Sequence, residues 1–141
     1  MNVVSTEVAS QVRSFNASQA DLRMQVRKHP HFSGVATLTL EGSLDTENAT
    51  LFYRTVEDLM MELVSVRLLV FDMDRLKYIS SSGIGAFTNI LVAAQKYGYR
   101  ILLYRLSTNV RTVFDTLGFS QFFRLAEDGE DILQYLPRKG A

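Results

Sequence analysis

The chain has 141 residues, 47% of them hydrophobic, with 15 basic side chains balanced by 15 acidic ones. This suits one domain with a proper core, excludes a wholly disordered chain, and offers no basic excess of the kind that nucleic-acid binding shows. The absence of cysteine excludes disulfides and thiolate metal sites and is in keeping with a reducing cytoplasm, and no apolar run nears the roughly twenty residues of a membrane span.

No charged start followed by an apolar stretch marks a secretory signal. Residues 1–20 are rich in Ser, Asn, Gln and Ala, yet Val4, Val8, Val12 and Phe15 fall at helical spacing. The extension reads either as a weak amphipathic helix that docks a partner or a second copy of the chain, or as a mobile tail, and its polarity favours the tail. The domain itself is expected over 21–141. Leu22 to Arg27 alternates apolar and polar residues and predicts a half-exposed strand, and the Pro30 and Gly34 of His29–Gly34 predict a hairpin connection. The two histidines there read as turn residues, because no Cys and no third His exist to complete a metal site.

A second strand is predicted over Val35–Leu40, running into Glu41-Gly42-Ser43-Leu44-Asp45. Phe52, Val56, Leu59, Met60 and Leu63 then recur as one face of a helix. Arg67 to Phe71 reads as a strand buried on both faces, and Ile84, Phe87, Ile90, Leu91 and Ala94 as a helix stopped at Gly98. Arg100–Tyr104 is a further strand. Ser107 caps a helix with Val110, Val113, Phe114 and Leu117 on its apolar face, ended by Gly118. A short strand over Phe122–Leu125 and a final helix marked by Ile132, Leu133 and Leu136 complete the series. Strands alternating with helices predict an α/β fold, a mixed sheet of four to five strands covered by about four helices. Sites in such sheets form at the carboxyl ends of strands, which places Asp45, Asp72 and the serines after Ile79 near one rim.

Those serines, in Tyr78-Ile79-Ser80-Ser81-Ser82-Gly83-Ile84-Gly85, stand where a helix starts. A helix start carries unpaired N–H groups and a partial positive charge, which suits a capping serine and equally suits a phosphate. A serine hydrolase needs a base beside its nucleophile, but His29 and His31 lie on an early hairpin with no evident reason to reach the site, and the G-x-S-x-G elbow is absent. Leu69-Val70-Phe71-Asp72-Met73-Asp74 resembles the nucleophile motif of haloacid dehalogenase phosphatases, but that motif normally opens its domain and here follows two strands and a helix. A nucleotide-binding module stays open, because a helix start is a generic anion site, although no Gly-rich loop of the P-loop or dinucleotide type is present. No catalytic residue, cofactor or metal is expected.

Four segments, taken together and in order, resemble the anti-sigma factor antagonist family built on the STAS domain. Gly42-Ser43-Leu44-Asp45 is similar to its G-x-L-D after the second strand, and Val70-Phe71-Asp72 to its third strand. Ser80-Ser81-Ser82-Gly83-Ile84-Gly85 is similar to its D-S-S-G-L-G switch, and Val110 to Phe119 to its third helix. The resemblance implies phosphorylation of Ser81, with Ser80 and Ser82 as the alternatives, by a serine kinase that is also an anti-sigma factor, and reversal by a phosphatase. Ser80 departs from the family Asp, which removes a negative charge beside the acceptor. Asp45, Ser80, Ser81, Ser82, Gly83 and Gly85 are the implied partner-binding residues, in a bacterial cytoplasmic transcription regulator that also has scope to dimerise. The domain also occurs in stressosome scaffolds, anion transporters and a lipid-transport component.

Overall fold

The computed structural model describes residues 4–137. Residues 1–3 of the expected extension and 138–141 of the expected domain lie outside them. The described residues form a five-stranded sheet in the order β1-β2-β3-β4-β5, with four α-helices and two short 3-10 turns. β1 (Leu22–Lys28) pairs antiparallel with β2 (Val35–Leu44) through the expected hairpin. The parallel neighbours β3 (Leu68–Ile79), β4 (Arg100–Tyr104) and β5 (Arg124–Ala126) follow, so the sheet is mixed as expected. Helices α2 (Ala49–Glu62), α3 (Ser81–Tyr97) and α4 (Thr108–Thr116) make the crossovers. No helix among the described residues is long and apolar enough to cross a membrane.

The main core lies on one face of the sheet, under all four helices. Phe87 of α3 sits at its centre, with edge-on contacts to Phe52 of α2 (5.4 Å) and Phe71 of β3 (5.2 Å). Such pairs add directional preference to plain burial, so α3 is held as a fixed platform. The opposite face carries a smaller cluster of Val35, Leu68, Val70, Leu102 and Ala126, covered by the chain around Ile132–Leu136. The run Leu68–Phe71 therefore divides between the two cores, as its unbroken apolar character required.

Three expectations are corrected. The favoured mobile tail is a helix, α1 (Thr6–Ser18), capped by Ser5 and anchored by buried Val8 and Phe15. β3 does not stop near Asp72. It continues to Ile79, because Met73, Leu76 and Ile79 still reach the core while polar residues alternate irregularly around two register shifts against β2. The final helix is only a 3-10 turn, Ile132–Tyr135, since the stretch between its cap Asp131 and Pro137 is too short for an α-helix.

Candidate functional site

The site is built where β2 and β3 end side by side. Ser80 N donates to Leu44 O across the strand ends at 2.9 Å, so the start of α3 is tied to the end of β2. Before that tie, β2 passes Gly42, whose φ of +116° suits glycine and whose added Cβ would meet Asp21 O at 2.1 Å. The glycine of the Gly42–Asp45 motif is thus a steric requirement.

Ser80 is the N-cap of α3. Its backbone is extended and its hydroxyl accepts from Gly83 N at 3.2 Å. Gly83 is buried, and a Cβ there would lie 2.7 Å from Ile79 Cγ1 and 2.9 Å from both Leu44 Cγ and Leu44 O. Only glycine lets α3 approach β2 this closely. Ser82 is half-buried, with its Oγ 3.1 Å from Thr46 Oγ1 on the β2–α2 loop. Ser81 is the exposed member of the three and occupies the first helical position. Gly85, one turn on, is exposed and has open space before it.

Asp45 reaches the same rim but is half-buried and shapes its own loop. Its Oδ1 accepts from Glu47 N (3.0 Å) and Asn48 N (3.3 Å). Buried Asn48 completes the loop, accepting from Asp45 N and donating to Ser43 O.

Asp72 is not brought to this rim, contrary to expectation. It lies in the first half of β3, opposite Thr39 and Tyr104, and the longer β3 carries the chain away from it. Arg105 grips it with two hydrogen bonds, Nε–Oδ1 at 3.1 Å and Nη2–Oδ2 at 2.6 Å. This bidentate pairing pushes the Arg105 pKa further up, against the opposing effect of its own desolvation. An aspartate so engaged is a poor nucleophile, which counts against the phosphatase motif. The histidines remain in the hairpin, where His29 Nδ1 accepts from His31 N and Phe32 N. β2 runs ten residues between that hairpin and the rim, about 30 Å at the rise of a strand. No base therefore attends the serines from that side, and among the described residues no group of three acidic or imidazole side chains is placed to hold a metal.

What the rim offers is an exposed hydroxyl on the positive end of a helix with no acidic residue in its first turn. A phosphate ester on Ser81 would meet free N–H groups and a favourable dipole there. Beside it, a groove of ≈ 690 Å³ runs between α2 and α3, lined by Thr46, Tyr53, Arg54, Ser82, Gly85 and Phe119. Farther along α3 an apolar hollow of ≈ 390 Å³ joins it through Thr88 and Phe119 and includes Val92 and Phe122, 65% and 62% exposed. The sequence reading missed Tyr53, Val92 and Phe122. Val92 has a local signal, an apolar residue on the polar face of α3. Phe122 has none, since its place in a Phe-Phe pair reads as strand.

Residues 23–132 match the model of the STAS domain. No curated protein matches the sequence significantly. The anti-sigma factor antagonist SpoIIAA has been solved unphosphorylated, at 20% identity over 79% of this chain and 95% of that one with a TM-score of 0.62. It has also been solved phosphorylated, as a Bacillus cell fate determinant, at a TM-score of 0.56, 20% identity and coverage of 79% and 98%. An anti-sigma factor antagonist from Mycobacterium paratuberculosis is 18% identical over 82% of this chain and 93% of that one, with a TM-score of 0.64. A sulfate transporter family protein from Wolinella succinogenes is 21% identical over 73% and 82%, with a TM-score of 0.58. At these identities the structural likeness speaks for the fold, and the family model covers most of the sequence: the chain belongs to the STAS domain family.

Proposed function

We propose that this STAS domain is an anti-sigma factor antagonist, a non-catalytic bacterial protein of the cytoplasm whose partner binding is switched by phosphorylation of Ser81. The observation that carries the reading is the division of labour among the three serines. Ser80 is occupied as a cap and Ser82 faces Thr46, while Ser81 stands exposed at the helix start beside a groove. Unmodified, the surface of Ser81, Ser82 and Gly85 is small and neutral, and a partner backbone can come close to it. Phosphorylation adds about 1.5 to 2 negative charges and a bulky group at that point. A few kcal/mol of lost packing and repulsion there changes affinity by orders of magnitude.

In this reading the unphosphorylated form holds an anti-sigma factor serine kinase and frees its sigma factor. The kinase then phosphorylates Ser81 and is released, and a phosphatase resets the switch. The fold shared with SpoIIAA, solved in both phosphorylation states, supports it. Likeness to the sulfate transporter family protein supports a second reading, a regulatory module of a membrane protein.

Peptide mapping of the protein purified from its own cells, with pull-downs by Ser81→Ala and Ser81→Asp, tests the proposal. Phosphate on Ser81 is expected, with a kinase captured by the Ala variant and not by the Asp variant. Equal capture by both would sink it.

A further inference from the structure

The helices leave part of the sheet uncovered on the β1 side. Strand register places Arg23, Glu41 and Arg75 in one cross-strand row, and Arg27 lies farther along β1 on the same face. These residues line a hollow of ≈ 410 Å³. A second hollow, of ≈ 310 Å³, shares Gln25 and Arg27 with the first and wraps round β1 to α1, where Val4, Val12 and Val26 form an apolar strip beside Arg13. Arg13 and Arg27 thus flank a strip of valines, and Arg23 and Arg75 extend the positive charge over the adjoining hollow.

Among the described residues Glu41 is the one carboxylate lining either hollow, and it faces Arg75 at 3.9 Å with both side chains more than half exposed. Among the described residues Arg13, Arg23 and Arg27 make no ion pair. A chain of zero net charge therefore gathers unpaired positive charge across two adjoining hollows, one of them carrying the valine strip.

The edge of β1 is closed to an added strand over half its length. Asn16 on α1 exchanges two hydrogen bonds of 2.9 Å with Met24 N and O. Gln19 just after α1 does the same with Leu22, accepting from its N–H at 2.9 Å and donating to its carbonyl. These amides satisfy the backbone groups that strand addition would use over Leu22–Met24, which leaves the exposed arginine side chains as the main recognition elements there.

We infer that this surface docks an acidic, amphipathic segment of a partner protein, its carboxylates set against Arg13, Arg23, Arg27 and Arg75 and its apolar side chains laid over Val4, Val12 and Val26. The α1 half lies outside residues 23–132, so the surface is supplied in part by what this chain adds to the common domain. It contains none of the switch residues Ser80–Gly85 and is independent of the function proposed above.

The test is fluorescence anisotropy with the full chain and a labelled helical peptide of Glu and Leu, beside a twin with Lys in place of Glu. The Glu peptide is expected to bind saturably and the Lys twin not. Raising salt from about 0.05 to about 0.5 M should weaken binding, since exposed charges are screened. The double variant Arg23→Glu, Arg27→Glu should lose about tenfold or more in affinity, as charge complementarity dictates, with its melting temperature unchanged. Ser81→Asp should bind as the wild type does. Equal binding of both peptides, or wild-type affinity in the double variant, would overturn the inference. So would a concentration-dependent dimer that the double variant abolishes, because a second copy would then be the occupant.

Discussion

Helices α3 and α4 begin with the same local chemistry and put it to different use. Each follows a parallel strand and opens on an extended serine, Ser80 or Ser107, whose hydroxyl accepts from the third residue on, Gly83 at 3.2 Å or Val110 at 3.3 Å. At α4 that third residue sends a buried side chain into the core, and Ser107 also donates to Leu76 O, so the helix start serves as an anchor. At α3 the third residue has no side chain, because Leu44 and Ile79 occupy its space. The backbone packs against the neighbouring strand, while the residue after the cap is exposed in both helices, Ser81 in one and Thr108 in the other. A serine cap alone marks no switch. What the wedged glycine adds at α3 is backbone packed directly on the neighbouring strand under the exposed Ser81.

The strongest way to break this comparison is Gly83→Ala. Its Cβ would overlap backbone as well as side chains, and a loss of about 3 kcal/mol in denaturant unfolding is expected. Gly85→Ala, facing open space two residues on, should instead stabilise by about 0.5–1 kcal/mol through helix propensity. Similar effects from the two would refute the wedge. At α4 the matching change, Val110→Ala, empties buried volume and should cost about 2 kcal/mol.

The far ends of the helices differ as well. Both run into a left-handed glycine, Gly98 or Gly118, but α3's is followed by buried Tyr99 and α4's by half-buried Phe119. The Tyr99 hydroxyl lies 2.6 Å from the carbonyls of both Met60 and Leu63, and burial pushes its pKa from 10.0 up to about 12. The folded state thus holds this proton more tightly than the unfolded chain. The contribution is intact below pH 10 and is lost as pH rises through about 12. Tyr99→Phe should cost about 1 kcal/mol at neutral pH and flatten the alkaline fall in stability, read by unfolding at a series of pH values.

The capping serines sharpen the comparison further. Ser80→Ala and Ser107→Ala should each cost about 1 kcal/mol. The smallest effect belongs to Ser81→Ala, within about 0.5 kcal/mol of wild type by the same denaturation, because Ser81 is exposed and caps nothing. A Ser81→Ala loss as large as that of Ser80→Ala would exchange their roles.

Much of this architecture is legible along the chain. Phe52, Val56 and Leu59, like Ile84, Phe87 and Ile90, repeat at helical spacing, and each set is buried where the periodicity required. α1 was harder to read. Val8 and Phe15 carry the right spacing, but the Ser, Asn and Gln residues of this stretch favour a tail. Two of those polar residues, Asn16 and Gln19, are the ones that bind the β1 edge, and no local rule shows that an amide will meet a strand formed later in the chain. The end of β3 was hidden for a similar reason. Asp72, Asp74, Arg75 and Lys77 interrupt the apolar run, and only pairing with β2 keeps the strand going.

The sequence by itself determined the alternation of strands and helices, the mixed sheet and the cluster of serines at a helix start. Periodicity, capping and turn chemistry act over a few neighbouring residues, and the order of residues states them directly. Only the tertiary structure decided which serine is left exposed, that Asp72 is locked to Arg105 away from the rim, and that α1 closes the sheet edge. Each of those outcomes depends on contacts between separate elements, Gly83 with Leu44, Asp72 with Arg105, and, across only eight residues, Asn16 with Met24. Such contacts exist only once packing has chosen the distances.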